Sequence, residues 1–114
     1  MATTNGSPTH EVSYLASVHV RLNDWKRLAV RLGRQAEFAA ALRELEDRLT
    51  HDPRNWGDPV RDLHGMDATY FRQIGRVLIV TYAVHNVQPV VFVQQVRLTS
   101  GSPMQDAEHD PPLA

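Results

Sequence analysis

The chain has 114 residues, 42% of them apolar, and its 12 basic and 13 acidic residues leave a net charge of −1. That size suits one domain around one core, and the balanced charge excludes a strongly basic nucleic-acid binder while allowing a local basic patch. No cysteine is present, which excludes disulfides and thiolate metal sites and fits a reducing, cytoplasmic setting. No run approaches the length of apolar residues that spans a membrane.

Residues 1–10 are polar, without the apolar core of a signal peptide, and predict a flexible leader. From Glu11 to Val20, the residues Val12, Tyr14, Ala16, Val18 and Val20 alternate with Ser13, Leu15, Ser17 and His19, which predicts a half-buried strand. Asn23 and Asp24 then supply a helix N-cap, followed by Trp25, Leu28, Ala29 and Leu32 at helical spacing. Gly33 offers a stop. A second helix is predicted from Gln35 to Leu49, with a stripe of Phe38, Ala39, Leu42, Leu45 and Leu49 and a Glu44–Arg48 pair in the favourable order. Two arrangements fit this segment. One is an αα-hairpin, and the other is a single helix kinked at Gly33, because Trp25, Leu28, Leu32, Ala36, Ala39 and Leu42 nearly share one stripe.

Asp52-Pro53 ends the helix, since the residue before proline disfavours the helical region. The loop through Trp56, Gly57, Asp58 and Pro59 reads as compact and ordered. A three-stranded antiparallel meander is predicted over 67–98, with strands Ala68–Ile74, Val77–His85 and Val90–Leu98. The middle strand is apolar on both faces, as a central strand should be. Thr99 to Ala114 contains Gly101, Pro103, Pro111 and Pro112 with three acids, which predicts a loose acidic tail over 100–114. The expected organisation is α+β: a single domain over 11–99, with an N-terminal strand, an αα-hairpin and the meander, and the helices packed on one face of the sheet.

The order of elements, together with Asp52-Pro53, Leu63-x-Gly65, Tyr70-Phe71-Arg72, Gly75, Tyr82-x-Val84 and the run Val90–Val93, resembles the RelE/ParE superfamily of bacterial toxin–antitoxin systems. The resemblance spans about Phe38 to Leu98. It implies that fold, a neutralising antitoxin as partner, and either cleavage of messenger RNA on the ribosome or binding to gyrase. In the ribonuclease members, basic side chains on the sheet and a tyrosine or histidine near the C-terminus carry the reaction. Here Arg72 takes the position of the basic residue on the first meander strand. The middle-strand arginine of the family, three positions before the tyrosine, falls at Ile79. The family's basic cluster after the last strand reduces to Arg97, followed by Leu98 and Thr99.

Cleavage of RNA by its own 2′-hydroxyl needs a base, cations for the phosphorane charge and an acid for the leaving oxygen. The expected catalytic set is Arg72 and Arg76 for phosphate, with His85 or His64 moving protons, and Arg61 and Arg97 adding RNA phosphate contacts. Against this, the arginines also fit solvated strand ends, and His85 also fits a turn residue facing water. Tyr70, Tyr82, Trp25 and Trp56 read as packing residues. The histidines lack zinc-binding spacing, and the acids of the second helix spread around a solvated face, so no metal and no cofactor is expected. The other reading of the same scaffold is a non-catalytic peptide- or protein-binding module, or an orphan domain.

Overall fold

The structure is a computed structural model that describes residues 9–99, so residues 1–8 of the expected leader and the whole expected tail, 100–114, lie outside the described residues. The elements are β1 (Glu11–Tyr14), α1 (Ala16–Arg31), α2 (Gln35–His51), α3 (Pro53–Trp56), β2 (Asp58–Leu63), a 3-10 turn (His64–Met66), β3 (Ala68–Ile74), β4 (Leu78–His85) and β5 (Val90–Leu98). The five strands form one sheet in the order β1-β5-β4-β3-β2. Strands β2 to β5 are antiparallel neighbours, and β1 joins β5 in parallel. The α+β architecture expected from the sequence is the one observed, with the helical hairpin on one face. Among the described residues no helix is long and apolar enough to cross a membrane.

Two segments differ from the sequence expectation. The first strand stops at Tyr14, and residues 16–31 are helical. The alternation through Val20 is real, but Val18 belongs to two patterns at once. The helical one wins because Val18, Leu22, Trp25 and Ala29 form a single buried stripe. Asn23 and Asp24 are therefore inside α1 rather than at its start, and Asp24 pairs with Arg27 at 3.1 Å. The second difference is the stretch after Asp52. It is not a loop: Pro53 opens the single turn α3, and Asp58–Leu63 adds a fourth antiparallel strand beside β3.

The hairpin alternative holds over the kinked helix. Gly33 adopts a left-handed φ of 70°, its N–H donates to the Val30 carbonyl, and the Arg34 N–H donates to the Ala29 carbonyl. This closes α1 and reverses the chain at the position where a side chain would be strained.

The core lies between the hairpin and the sheet. Phe38, Leu45 and Leu49 of α2 and the α1 stripe cover Phe71, Val80, Tyr82, Val84, Val91 and Val93. Tyr82 is completely buried. Its ring stacks between Phe71 and Trp56, with centroid distances of 5.5 and 5.9 Å. Its hydroxyl donates to the Pro53 carbonyl and accepts from the Gly57 N–H at 2.8 Å. A Cβ on Gly57 would sit 2.8 Å from that hydroxyl and 3.0 Å from the Arg72 carbonyl, so only glycine fits there. Burial, opposed by the Gly57 N–H and reinforced by Asp52 and Asp58, pushes the Tyr82 phenol up to about 12.

Two β-bulges set which way the ends of β5 and β2 face. In β5 the pairing moves from Tyr82–Val93 to Thr81–Gln95, so Gln94 is the extra residue. In β2 it moves from Pro59–Phe71 to Arg61–Tyr70, so Val60 is the extra residue. Because side chains alternate with period two, each insertion turns over the remainder of its strand. Val96 and Leu98 thereby stay in the core, and Arg97 points to the opposite face.

Candidate functional site

The face of the sheet away from the hairpin carries Tyr70 and Arg72 on β3, Thr81 on β4, Gln95 and Arg97 on β5, and Arg61 on β2. β1 is only four residues long, so the first turns of α1 run beside the end of β5 rather than another strand. Arg61 and Val60 on one side, and Ser17 and Arg21 on the other, wall a cleft of about 760 Å³ floored by the central strands. Four arginines line it: Arg21, Arg61, Arg72 and Arg97. No carboxylate and no imidazole lines it among the described residues.

The arginines arrive there through registry. Arg72 sits opposite Thr81, which sits opposite Gln95, so these three form one row across the floor. Arg97 lies two positions along β5 from that row, opposite Ile79. Strand spacing and rise put the Arg72 and Arg97 backbones roughly 12 Å apart, within range for two long side chains to approach one ligand. Arg61 is placed opposite Tyr70 by the β2 bulge, and its guanidinium lies 5.6 Å from the centre of that ring. Arg21 likewise lies over Trp25 at 5.7 Å. For Arg61 such stacking holds the guanidinium plane while leaving its N–H fork available. Arg61, Arg72 and Arg97 form no ion pair among the described residues.

Chemically, this arrangement offers cationic, planar donors and neutral amide and hydroxyl groups to an anion with several oxygens. Guanidinium groups bind phosphate in bidentate fashion, and a row of them suits a chain of phosphates better than a single one. It supplies charge stabilisation, but among the described lining residues the only ionisable group other than arginine is the Tyr70 phenol.

The residues expected from the sequence divide into three groups. Arg61, Arg72 and Arg97 meet in the cleft. Arg76 does not join them: it stands at the β3–β4 turn and lines a separate groove beside α2. His85 also lies elsewhere, at the opposite end of β4. Its Nδ1 accepts hydrogen bonds from the Val87 and Gln88 N–H groups at 3.1 and 3.0 Å, and its carbonyl accepts from Arg54 at 3.1 Å. The imidazole thus shapes the β4–β5 turn. His64 opens the 3-10 turn after β2, and its side chain lies outside the described part of the structure.

Arg21, Tyr70, Thr81 and Gln95 join the site without having been expected there. In the sequence Arg21 falls in a connection, because residues 11–20 read as a strand. Tyr70 reads as a packing residue in the sequence, because its partner Arg61 lies nine positions upstream in a stretch with no predicted element.

Comparison with known proteins adds no relative: no protein-family model, no curated protein and no solved structure matches the chain.

Proposed function

We propose that this protein is a RelE/ParE-like member of the toxin–antitoxin world that binds single-stranded RNA along its arginine cleft and inhibits translation by occupying it. The observation that carries this reading is the convergence of Arg21, Arg61, Arg72 and Arg97 in one cleft without a carboxylate among its described lining. A cleft walled on both sides by protein suits one strand better than a duplex, and Tyr70 and the flat guanidiniums offer stacking surfaces for exposed bases. The cation absent at Ile79 has a substitute in Arg97, its direct neighbour across the β4–β5 ladder.

Binding is favoured over cutting because, among the described lining residues, no imidazole or carboxylate accompanies the arginines. Neutralisation by a small antitoxin protein belongs to the same reading, and the cytoplasm is where both partners would meet.

The test is a cell-free translation reaction with purified protein, read alongside fluorescence anisotropy of a labelled single-stranded RNA. Synthesis should fall as protein rises, the message should remain intact, and the RNA should bind with a steep salt dependence. Undiminished translation together with no RNA binding at low salt would sink the proposal. Shortened message fragments would restore the nuclease reading. Inducible expression in a bacterial host, with and without Arg72→Ala, extends the test to growth arrest.

A further inference from the structure

On the hairpin side of the sheet, a second concavity of about 290 Å³ runs between α2 and the β3–β4 turn. Its floor is apolar, formed by Ala41, Leu45, Trp56 and Val80. Its two walls carry opposite charge: Glu37 and Glu44 on α2, and Arg76 on the turn. Glu37 is engaged by Arg34 at 3.4 Å. Glu44 and Arg76 are both exposed and form no ion pair among the described residues, either with each other or with Arg48 one turn along α2. The groove therefore holds unpaired charges of opposite sign on facing walls, above a floor that water covers poorly.

We propose that this groove binds an amphipathic peptide segment of a partner protein, with aliphatic side chains on the floor and a lysine or arginine against Glu44. The proposal does not rest on the RNA reading, because the cleft and the groove lie on opposite faces of the sheet. Three features select the occupant. The carboxylates of the α2 wall repel a nucleic-acid backbone and attract a cationic side chain. The volume sits near the lower end of ligand cavities, about 300–1,000 Å³, which fits a few side chains of a peptide rather than a large cofactor. Trp56 supplies an anchor of the kind that dominates peptide interfaces. One face of its ring stacks on Tyr82, the residue is only half-buried, and its indole N–H has no acceptor among the described residues. An amphipathic segment laid in a groove uses this combination of apolar floor, aromatic anchor and charged rim.

Trp56 also reports on the groove. The chain has two tryptophans, and Trp25 is only 3% exposed. The full chain is titrated with a synthetic amphipathic leucine–lysine peptide, with the same peptide carrying glutamate for lysine, and with one carrying serine for leucine. The lysine peptide should give a saturable blue shift of Trp56 emission, absent in Trp56→Phe, and bind roughly tenfold tighter than either control. Glu44→Lys should weaken it roughly tenfold, whereas Glu46→Lys, outside the groove lining, should leave it unchanged. RNA binding should be the same in both variants, so failure here is separable from failure of the cleft. No saturable response, equal affinity for the lysine and glutamate peptides, or equal weakening by Glu44→Lys and Glu46→Lys would each overturn the proposal.

Discussion

The two faces of the sheet are built from the same strands and have opposite character. On the hairpin face, Tyr82 is closed in by Phe71 and Trp56, and its hydroxyl serves both as donor and as acceptor. On the other face, Arg61, Arg72 and Arg97 make no ion pair among the described residues. Thr81 and Tyr82 are consecutive residues of β4, one in the floor of the cleft and the other in the core. If the cleft binds RNA as proposed, stability and binding are separable along a single strand, one residue apart. Substitutions on the hairpin face should alter folding, and substitutions on the cleft face should alter binding with the fold intact.

The largest effect is expected from Tyr82→Phe. It leaves the buried Gly57 N–H and Pro53 carbonyl without their partner and should cost about 2–4 kcal/mol in urea denaturation. RNA affinity of the folded fraction should barely change; a binding loss as large as the stability loss would erase the distinction between the faces.

Next in size is a pH effect on the same residue. The folded phenol titrates near 12 rather than its ordinary 10. Between those values the unfolded chain has lost the proton while the native state keeps it, so stability falls as pH rises through the window. The loss from Tyr82 should be about 2–3 kcal/mol, fully present as stability below pH 10 and gone above 12. Tyr14, raised to about 12 by burial and then by Glu46, adds to the drop. Tyr82→Phe should retain only the Tyr14 part, which denaturation curves at pH 9 and 11.5 would read.

Arg72→Ala should reduce affinity for single-stranded RNA roughly tenfold, about 1.4 kcal/mol, with stability unchanged within about 0.5 kcal/mol. If four arginines each neutralise a phosphate, the plot of log affinity against log salt should slope about −3, and the variant should lose about 0.7 of that slope. An unchanged slope would remove Arg72 from the contact surface. The smallest effect is expected from His85→Ala. Losing the Nδ1 acceptor should loosen the β4–β5 turn by about 1 kcal/mol, seen as faster amide exchange at Val87 and Gln88, with RNA binding unaltered.

The sequence reveals the central strands clearly because β3, β4 and β5 combine strict alternation with short turns. It also reveals three of the four cleft arginines as a set, since Arg61, Arg72 and Arg97 are the cations of those strands and of the segment just before them. β2 is hidden because Pro59 and Asp58 are turn residues by propensity, and its six residues gain their order from pairing with β3. Arg21 is hidden by the double pattern around Val18. The grouping of Arg76 and His85 with Arg72 fails for a simpler reason: both ends of β4 are close to Arg72 in the chain, but they lie at opposite ends of the sheet. The bulge in β5 has a sequence signature in retrospect. Val91 and Val93 keep one phase, Val96 and Leu98 keep the other, and Gln94-Gln95 marks the slip.

Those bulges give the cleft a tolerance of miscounting. Residues paired across strands share a face, so Arg97, opposite Ile79, and Arg61, opposite Tyr70, hold their side by pairing. Straightening β5 with every residue kept would direct Arg97 at the hydrophobic layer and turn Val96 and Leu98 to water. Deleting Gln94 instead leaves Val93 opposite Tyr82 and Gln95 opposite Thr81, and the strand then alternates regularly with Arg97 still on the cleft side. Deleting Val60 leaves Arg61 opposite Tyr70 in the same way. Each bulge is thus a spare link: a one-codon deletion there shortens the strand without exchanging its faces, whereas an added residue has no slack to draw on and must be absorbed by a second bulge.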